Sequence, residues 1–203
     1  EVGILLATKT VAPGPIRQAL RAGGRVIGEN RVQEMTAKAP ELAELVHETH
    51  LIGPLQRNKA RAAAACADCV QTVADLRLAE RLAALAADSA ALAVMIQVNT
   101  SGEATKAGCP PAEAPDLAEA VATLPGLRLR GFMTVGLNSP DSAAVARSYA
   151  TLRAIRDQVL AAAIPGAAGA RELSMGMSGD LEIAIAEGST MVRVGSAVFG
   201  PRG

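Results

Sequence analysis

Aromatic side chains are almost absent: the 203 residues contain no Trp, one Tyr (Tyr149) and two Phe (Phe132 and Phe199). Sequence-tolerant binding of single-stranded nucleic acid relies on aromatic stacking, so a platform of that kind is excluded. Net charge is also missing. Twenty Lys and Arg balance twenty Asp and Glu, so no global field draws in nucleic acid or an acidic membrane surface. Long apolar runs are lacking too, since the stretch around Leu92–Val98 falls far short of the ~20 residues of a membrane span. The opening residues do not read as a secretory leader, and Glu1 leads at once into a strand-like segment. The expectation is a cytoplasmic protein whose numbering omits an N-terminal piece.

Cysteine is scarce, at three residues. Cys66 and Cys69 have CxxC spacing, and His47 and His50 lie upstream at HxxH spacing, the raw material of a zinc site. Cys66 ends an Ala-rich helical run and Cys69 starts a strand-like one, so the pair straddles a joint. Packing thiols in a reducing compartment are the expected reading.

What the sequence does have is alternation. Apolar, β-branched runs occur at Gly3–Ala7, Arg25–Gly28, Glu48–Ile52, Cys69–Val73, Leu92–Val98, Leu127–Met133, Arg171–Ser174 and Met191–Val194, with Ala/Leu-rich helical stretches between them. A first helix opens around Pro15 and stops at Gly23-Gly24. Asp75 caps another, with Leu76, Ala79, Leu82, Ala83 and Ala86 on one face. Pro125-Gly126 stops a third. The longest starts at Ser139-Pro140, and its inner stripe is Val145, Tyr149, Leu152 and Val159. Eight strand–helix units in about 200 residues predict an α/β fold, a single-domain (β/α)8 TIM barrel spanning residues 1–203. A doubly wound open sheet is the alternative, but it calls for a glycine fingerprint after the first strand that is absent here.

Polar and glycine-rich segments follow nearly every strand, and in a barrel those loops share the rim that carries function. Lys9 is one of only four lysines, with Lys38, Lys59 and Lys106. Placed at a strand end, it reads either as a desolvated amine able to attack an aldehyde or as a lysine snorkelling to solvent. Ser178-Gly179, ahead of a helical run at Asp180–Glu187, and Gly195-Ser196, past the last strand, read as a phosphate cup or as turn chemistry. Arg193, inside an apolar strand, needs a partner: a structural ion pair, or a ligand atom in the barrel mouth.

Five segments together resemble the pyridoxal 5′-phosphate (PLP) homeostasis protein family, single-domain relatives of the alanine racemase N-terminal barrel. They are Leu5–Thr10, Gly28–Glu34, His50–Lys59, Ser174–Ser178 and Gly188–Gly200, and the match covers nearly the whole chain. The resemblance implies PLP held as a Schiff base on Lys9, with Asn30 beside it. Ser174, Ser178 and the Gly195-Ser196 backbone are then expected at the phosphate, and Arg193 at the pyridine nitrogen. Family members commonly carry Ser in place of Thr8 and Thr in place of Ser196, which keeps both hydroxyls, and they have a helix before the first strand.

Arg193 cannot take a proton from the ring nitrogen, which weakens the ring as an electron sink. A racemase also needs a second acid/base. Tyr149 reads as core, and His50 has no evident orienting partner. The expected function is to store, buffer or deliver PLP, with PLP-requiring apoenzymes as partners and a monomeric state. The alternatives are a weak racemase-like PLP enzyme and a phosphate-binding barrel enzyme without PLP.

Overall fold

Two of the strands have no polar face. Cys69–Val73 and Leu92–Gln97 are buried at every residue, the pattern of parallel strands covered on both sides. In the computed structural model, which describes residues 1–87, 90–103 and 105–200, these are β4 and β5 of a closed eight-stranded parallel barrel. The other strands are β1 (Gly3–Ala7), β2 (Val26–Glu29), β3 (Glu48–Leu51), β6 (Leu127–Met133), β7 (Glu172–Met177) and β8 (Met191–Val194). Neighbours in sequence pair in parallel, and β8 returns to β1 with Leu5 opposite Arg193. That last pairing rules out the open sheet.

The helices are α1 (Pro13–Arg21), α2 (Val32–Leu42), α3 (Ala60–Cys66), α4 (Leu76–Ala86), α5 (Ala114–Ala122), α6 (Ser142–Ala161), α7 (Leu181–Ala186) and α8 (Ser196–Phe199). None is long and apolar enough to cross a membrane among the described residues. The main apolar layer lies between strands and helices, with Leu82, Phe132, Tyr149 and Leu152 at its centre. A smaller one joins Leu6 and Ile27 to Ile16, Leu20 and Leu42.

Local expectations needed three corrections. Asp75 does cap α4, accepting from the Leu78 N–H at 2.9 Å, but Leu76 is 40% exposed. Leu76 lies about 120° around the helix from Leu82 at 3.6 residues per turn, off the stripe. The cap of α6 is Asp141, not Ser139: its carboxylate accepts from Ala143 and Ala144, while Ser139 accepts from Asp141 one turn earlier. The stripe of α6 itself is buried as expected. Finally, β7 runs to Met177 rather than stopping at Ser174, because the Ser174 hydroxyl finds partners inside the barrel.

The cysteines do not form one cluster. Cys66 is half-buried on α3, whereas Cys69 packs with Ala93, Met95 and Met133. Burial pushes the Cys69 thiol up to about 12 and the Cys109 thiol to about 11. His47 is bonded to the Leu45 carbonyl, and His50 points into the barrel.

Candidate functional site

β1 ends at Ala7, so Lys9 sits two residues beyond the strand, half-buried in a turn. That turn is fastened on both sides of Lys9. The Thr8 N–H donates to the Gly28 carbonyl at 2.9 Å, and its hydroxyl donates to Glu29 Oε1 at 2.6 Å. Lys38 Nζ, from α2, donates to the Thr8 carbonyl at 2.8 Å and to Glu29 at 2.7 Å. The Thr10 N–H donates to Glu34 at 3.0 Å. Lys38 and Glu29 are 9% and 1% exposed, a buried pair that holds the turn rather than facing a ligand. Glu34 and Glu29 lie in a motif noted from sequence; Lys38 carried no role there.

The Lys9 side chain borders a rim cavity of about 360 Å³. Asn30, Ser178, Arg193, Gly195 and Ser196 also line it, together with Ala7, Ile52 and Val135. Asn30 is reached closely by the following loop: a Cβ on Gly53 would fall 2.0 Å from the Asn30 carbonyl oxygen, which explains glycine there. Across the cavity, Ser178 and Gly179 lie in a turn tied by Asp180, whose carboxylate accepts from the Met177 N–H at 2.6 Å and from the Tyr149 hydroxyl at 2.7 Å. α7 is shorter than the helical run expected from sequence, beginning only at Leu181. The N–H groups of Ser178, Gly179, Gly195 and Ser196 have no acceptor among the described residues.

Ser174 does not line this cavity. It is fully buried in the bore, donating to Gln71 Oε1 at 2.7 Å. Its carbonyl and hydroxyl accept from Arg193 Nη1 at 2.7 and 3.0 Å, and the Thr134 carbonyl accepts from Nη2 at 2.7 Å. Arg193 is thus held by carbonyls and a hydroxyl rather than by an ion pair. Burial pulls it down to about 10, with Tyr149 and Asp180 acting in the opposite direction, so it stays a cation near neutral pH. Ser174, expected at the phosphate, thus faces Gln71 and Arg193 in the bore.

The other lysines are engaged or elsewhere. Lys106 donates to the Gly136 carbonyl at 3.1 Å and pairs with Glu103 at 2.8 Å instead of pointing to solvent. Lys59 lines a neighbouring cavity with Asn30 and Arg31. Tyr149 is core, as expected, and burial together with Asp180 pushes its hydroxyl up.

His50, by contrast, is oriented after all, between Glu48 at 2.9 Å and Gln71 at 2.7 Å. Sequence reasoning missed Gln71. Its signal was a Gln in the middle of a strand buried on both faces. At the base of the barrel Arg130 bridges Glu48 and Glu172 at 2.7 and 2.8 Å. His50 and Arg130 together hold the Glu48 carboxyl down at about 2, from an ordinary 4.5. A depressed acid stabilises the fold fully above its unfolded value, and that contribution fades as pH falls from about 4.5 through about 2. Acid titrations of wild type and Glu48→Gln, followed by circular dichroism, are expected to differ near neutral pH and converge below about pH 2.

Residues 10–203 match the family described as alanine racemase, N-terminal domain. The chain is 45% identical over 202 residues to the pyridoxal phosphate homeostasis protein of Pseudomonas aeruginosa, covering 99% of this chain and 85% of that one. The solved structure of PipY from Synechococcus elongatus with PLP bound superposes with a TM-score of 0.89 at 35% identity, over 98% of this chain and 92% of that one. Alanine racemase of Corynebacterium glutamicum shares the fold at a TM-score of 0.73 and 15% identity, over 99% of this chain and 56% of that one. On sequence over nearly its full length and on fold, this chain belongs to the alanine racemase N-terminal domain family, among the pyridoxal phosphate homeostasis proteins.

Proposed function

We propose that this chain binds PLP in the rim cavity through an imine to Lys9 and serves in the cytoplasm to hold and release the cofactor. The observation that carries the reading is convergence: Lys9, from just past the first strand, and Arg193, on the last, border one cavity with the Ser178-Gly179 and Gly195-Ser196 turns. The donor set fits the group. Every charged residue in the lining is a cation, and four N–H groups with two hydroxyls suit a phosphate. The name of the Pseudomonas relative and the PLP in PipY support the same reading.

Bound PLP supplies an aldehyde that an amine can hold reversibly and a ring that can accept electrons. The protein's residues restrain the second property. Arg193 would donate a hydrogen bond to the ring nitrogen and, keeping its own proton at neutral pH, would leave that nitrogen unprotonated. Lys9 would supply the amine that holds the aldehyde, with water lost on capture and taken up again on release.

Holding is favoured over turnover because the groups suited to proton transfer are engaged. The Tyr149 hydroxyl is bonded to Asp180, and His50 lies in the bore with both ring nitrogens bonded. Release to PLP-requiring apoenzymes, by a monomer, completes the proposal.

Borohydride reduction after incubation with PLP, followed by peptide mapping, tests it. One pyridoxyl group on the peptide containing Lys9 is expected. An adduct on Lys59 or Lys106 would move the site, and no adduct on any lysine would favour a phosphate-binding barrel without PLP.

A further inference from the structure

The bore of the barrel is not an apolar plug. From base to rim it holds Arg130, Glu48, His50, Gln71, Ser174 and Arg193, each within hydrogen-bond distance of the next. His50, Gln71 and Ser174 are fully buried, and Arg193 is 6% exposed. The lower end opens on a basal cavity of about 370 Å³ lined by Glu48, Asp68, Arg128 and Arg130. The upper end is the guanidinium in the rim cavity.

The direction of every bond in this chain follows from its two ends together with the orientation of the Gln71 amide. Arg193 has donors only, so at 3.0 Å it donates to Ser174 Oγ. The Ser174 hydroxyl hydrogen then goes to Gln71 Oε1 at 2.7 Å. That turns the Gln71 amide nitrogen towards His50 Nδ1, also at 2.7 Å, and Nδ1 must accept. At the base, the Glu48 carboxylate accepts from Arg130 at 2.7 Å and, through the same oxygen, from His50 Nε2 at 2.9 Å. His50 Nε2 must therefore carry the proton.

We infer that His50 and Gln71 are positioning residues for Arg193, acting through Ser174 in a one-way hydrogen-bond chain that is complete only when His50 is neutral and protonated on Nε2. The inference rests on the reading that Arg193 faces the ring of bound PLP. Two carbonyls fix part of the guanidinium, and the rotatable Ser174 hydroxyl is the contact that can change.

Protonating His50 would set an N–H against the Gln71 amide N–H. The amide would have to turn, and Ser174 would lose its acceptor. The charged or titratable groups around His50 are Glu48 on its own strand, Cys69 opposite it on β4, Arg130 on β6 beyond Glu48 and Glu172 on β7 beyond Arg130. Arg193, on β8, lies beyond Gln71 and Ser174, and β2 sets Gly28 opposite His50.

The test uses the full chain as wild type, Gln71→Met and Gln71→Glu, each measured for PLP affinity and then reduced with borohydride. Fluorescence of the reduced pyridoxyl group reads the surroundings of the ring nitrogen. Gln71→Met removes the acceptor for Ser174, so it is expected to weaken PLP binding about three- to tenfold, the scale of one neutral hydrogen bond. It should also shift the emission while keeping the adduct on Lys9. Gln71→Glu still accepts from Ser174 and is expected to restore both towards wild type.

Wild-type affinity and emission in Gln71→Met would overturn the inference. If that variant does not fold, nitrogen-15 NMR of His50 in the unliganded wild-type protein decides near neutral pH. A proton on Nε2 alone supports the chain; a proton on Nδ1, alone or with Nε2, overturns it. Failure of wild type to form the Lys9 adduct would instead overturn the cofactor reading, and the NMR result would still judge the chain.

Discussion

Lys9→Ala is expected to abolish covalent retention of PLP while leaving the barrel intact. Wild-type protein incubated with PLP and freed of excess ligand should keep the absorption band of an imine. The variant should lose it to the limit of detection, because no other lysine lines the cavity that holds Arg193. The fold should survive. The turn is fastened through the Thr8 carbonyl and hydroxyl and the Thr10 N–H, which Lys9→Ala leaves in place. A cooperative unfolding transition like that of wild type is expected by circular dichroism. Lys9→Arg is the matching control, since it keeps the charge without an amine that condenses with an aldehyde. A full band in either variant would remove Lys9 from the proposal.

Gly131→Ala is expected to cause the largest loss of stability. Gly131 has a φ of +155°, at the edge of what other residues adopt, and a Cβ there would lie 2.0 Å from the Glu172 carbonyl oxygen. The obstacle is backbone of the adjacent strand β7, so no side-chain rotation relieves it. The position also follows a register shift: Leu129 pairs with Val94 but Gly131 with Met95, leaving Arg130 as the extra residue. The same residue that Gly131 accommodates is therefore the one that bridges Glu48 and Glu172. A loss of about 3–5 kcal/mol is expected, lowering Tm by roughly 10 °C in a domain of this size. Gly14→Ala is the contrasting case. Beyond its chain neighbours nothing stands within 4 Å of a Cβ there, and the Pro15 ring opposes the entropic gain of a non-glycine residue, so a change within about 1 kcal/mol is expected by calorimetry or urea titration.

The barrel was legible because its strands and helices differ in period, and each strand was expected within a few residues of where it lies. Where bounds slipped, the cause was tertiary. Ser174-Met175-Gly176-Met177 reads as loop by composition, yet it continues β7 because Gln71 and Arg193 supply partners from other strands. For the same reason Ser174 was expected at a phosphate and lies in the bore. Lys9, Asn30, Ser178, Arg193, Gly195 and Ser196 do come together, since residues just past parallel strands share one rim. Partners from distant strands could not be read: His50 meets Gln71 only across a β3–β4 pairing, and Lys38 meets Thr8 only once α2 has packed. The caps of α4 and α6 were a local matter, and Asp141 outcompeted Ser139 because a carboxylate reaches two N–H groups at once.

The pairing of β8 with β1 has a consequence for when the cofactor can be captured. Lys9 lies just past the first strand of the barrel, and Arg193 and Ser196 on or just past the last. The amine alone does not make the cavity, so capture there would await closure of the ring. That closure joins residues from opposite ends of the sequence, a slow class of contact in folding. A ligand that binds only the closed state then stabilises it by mass action, in proportion to the logarithm of ligand concentration over Kd. Depletion of PLP would leave the closed ring with its own packing alone to hold the first and last strands together.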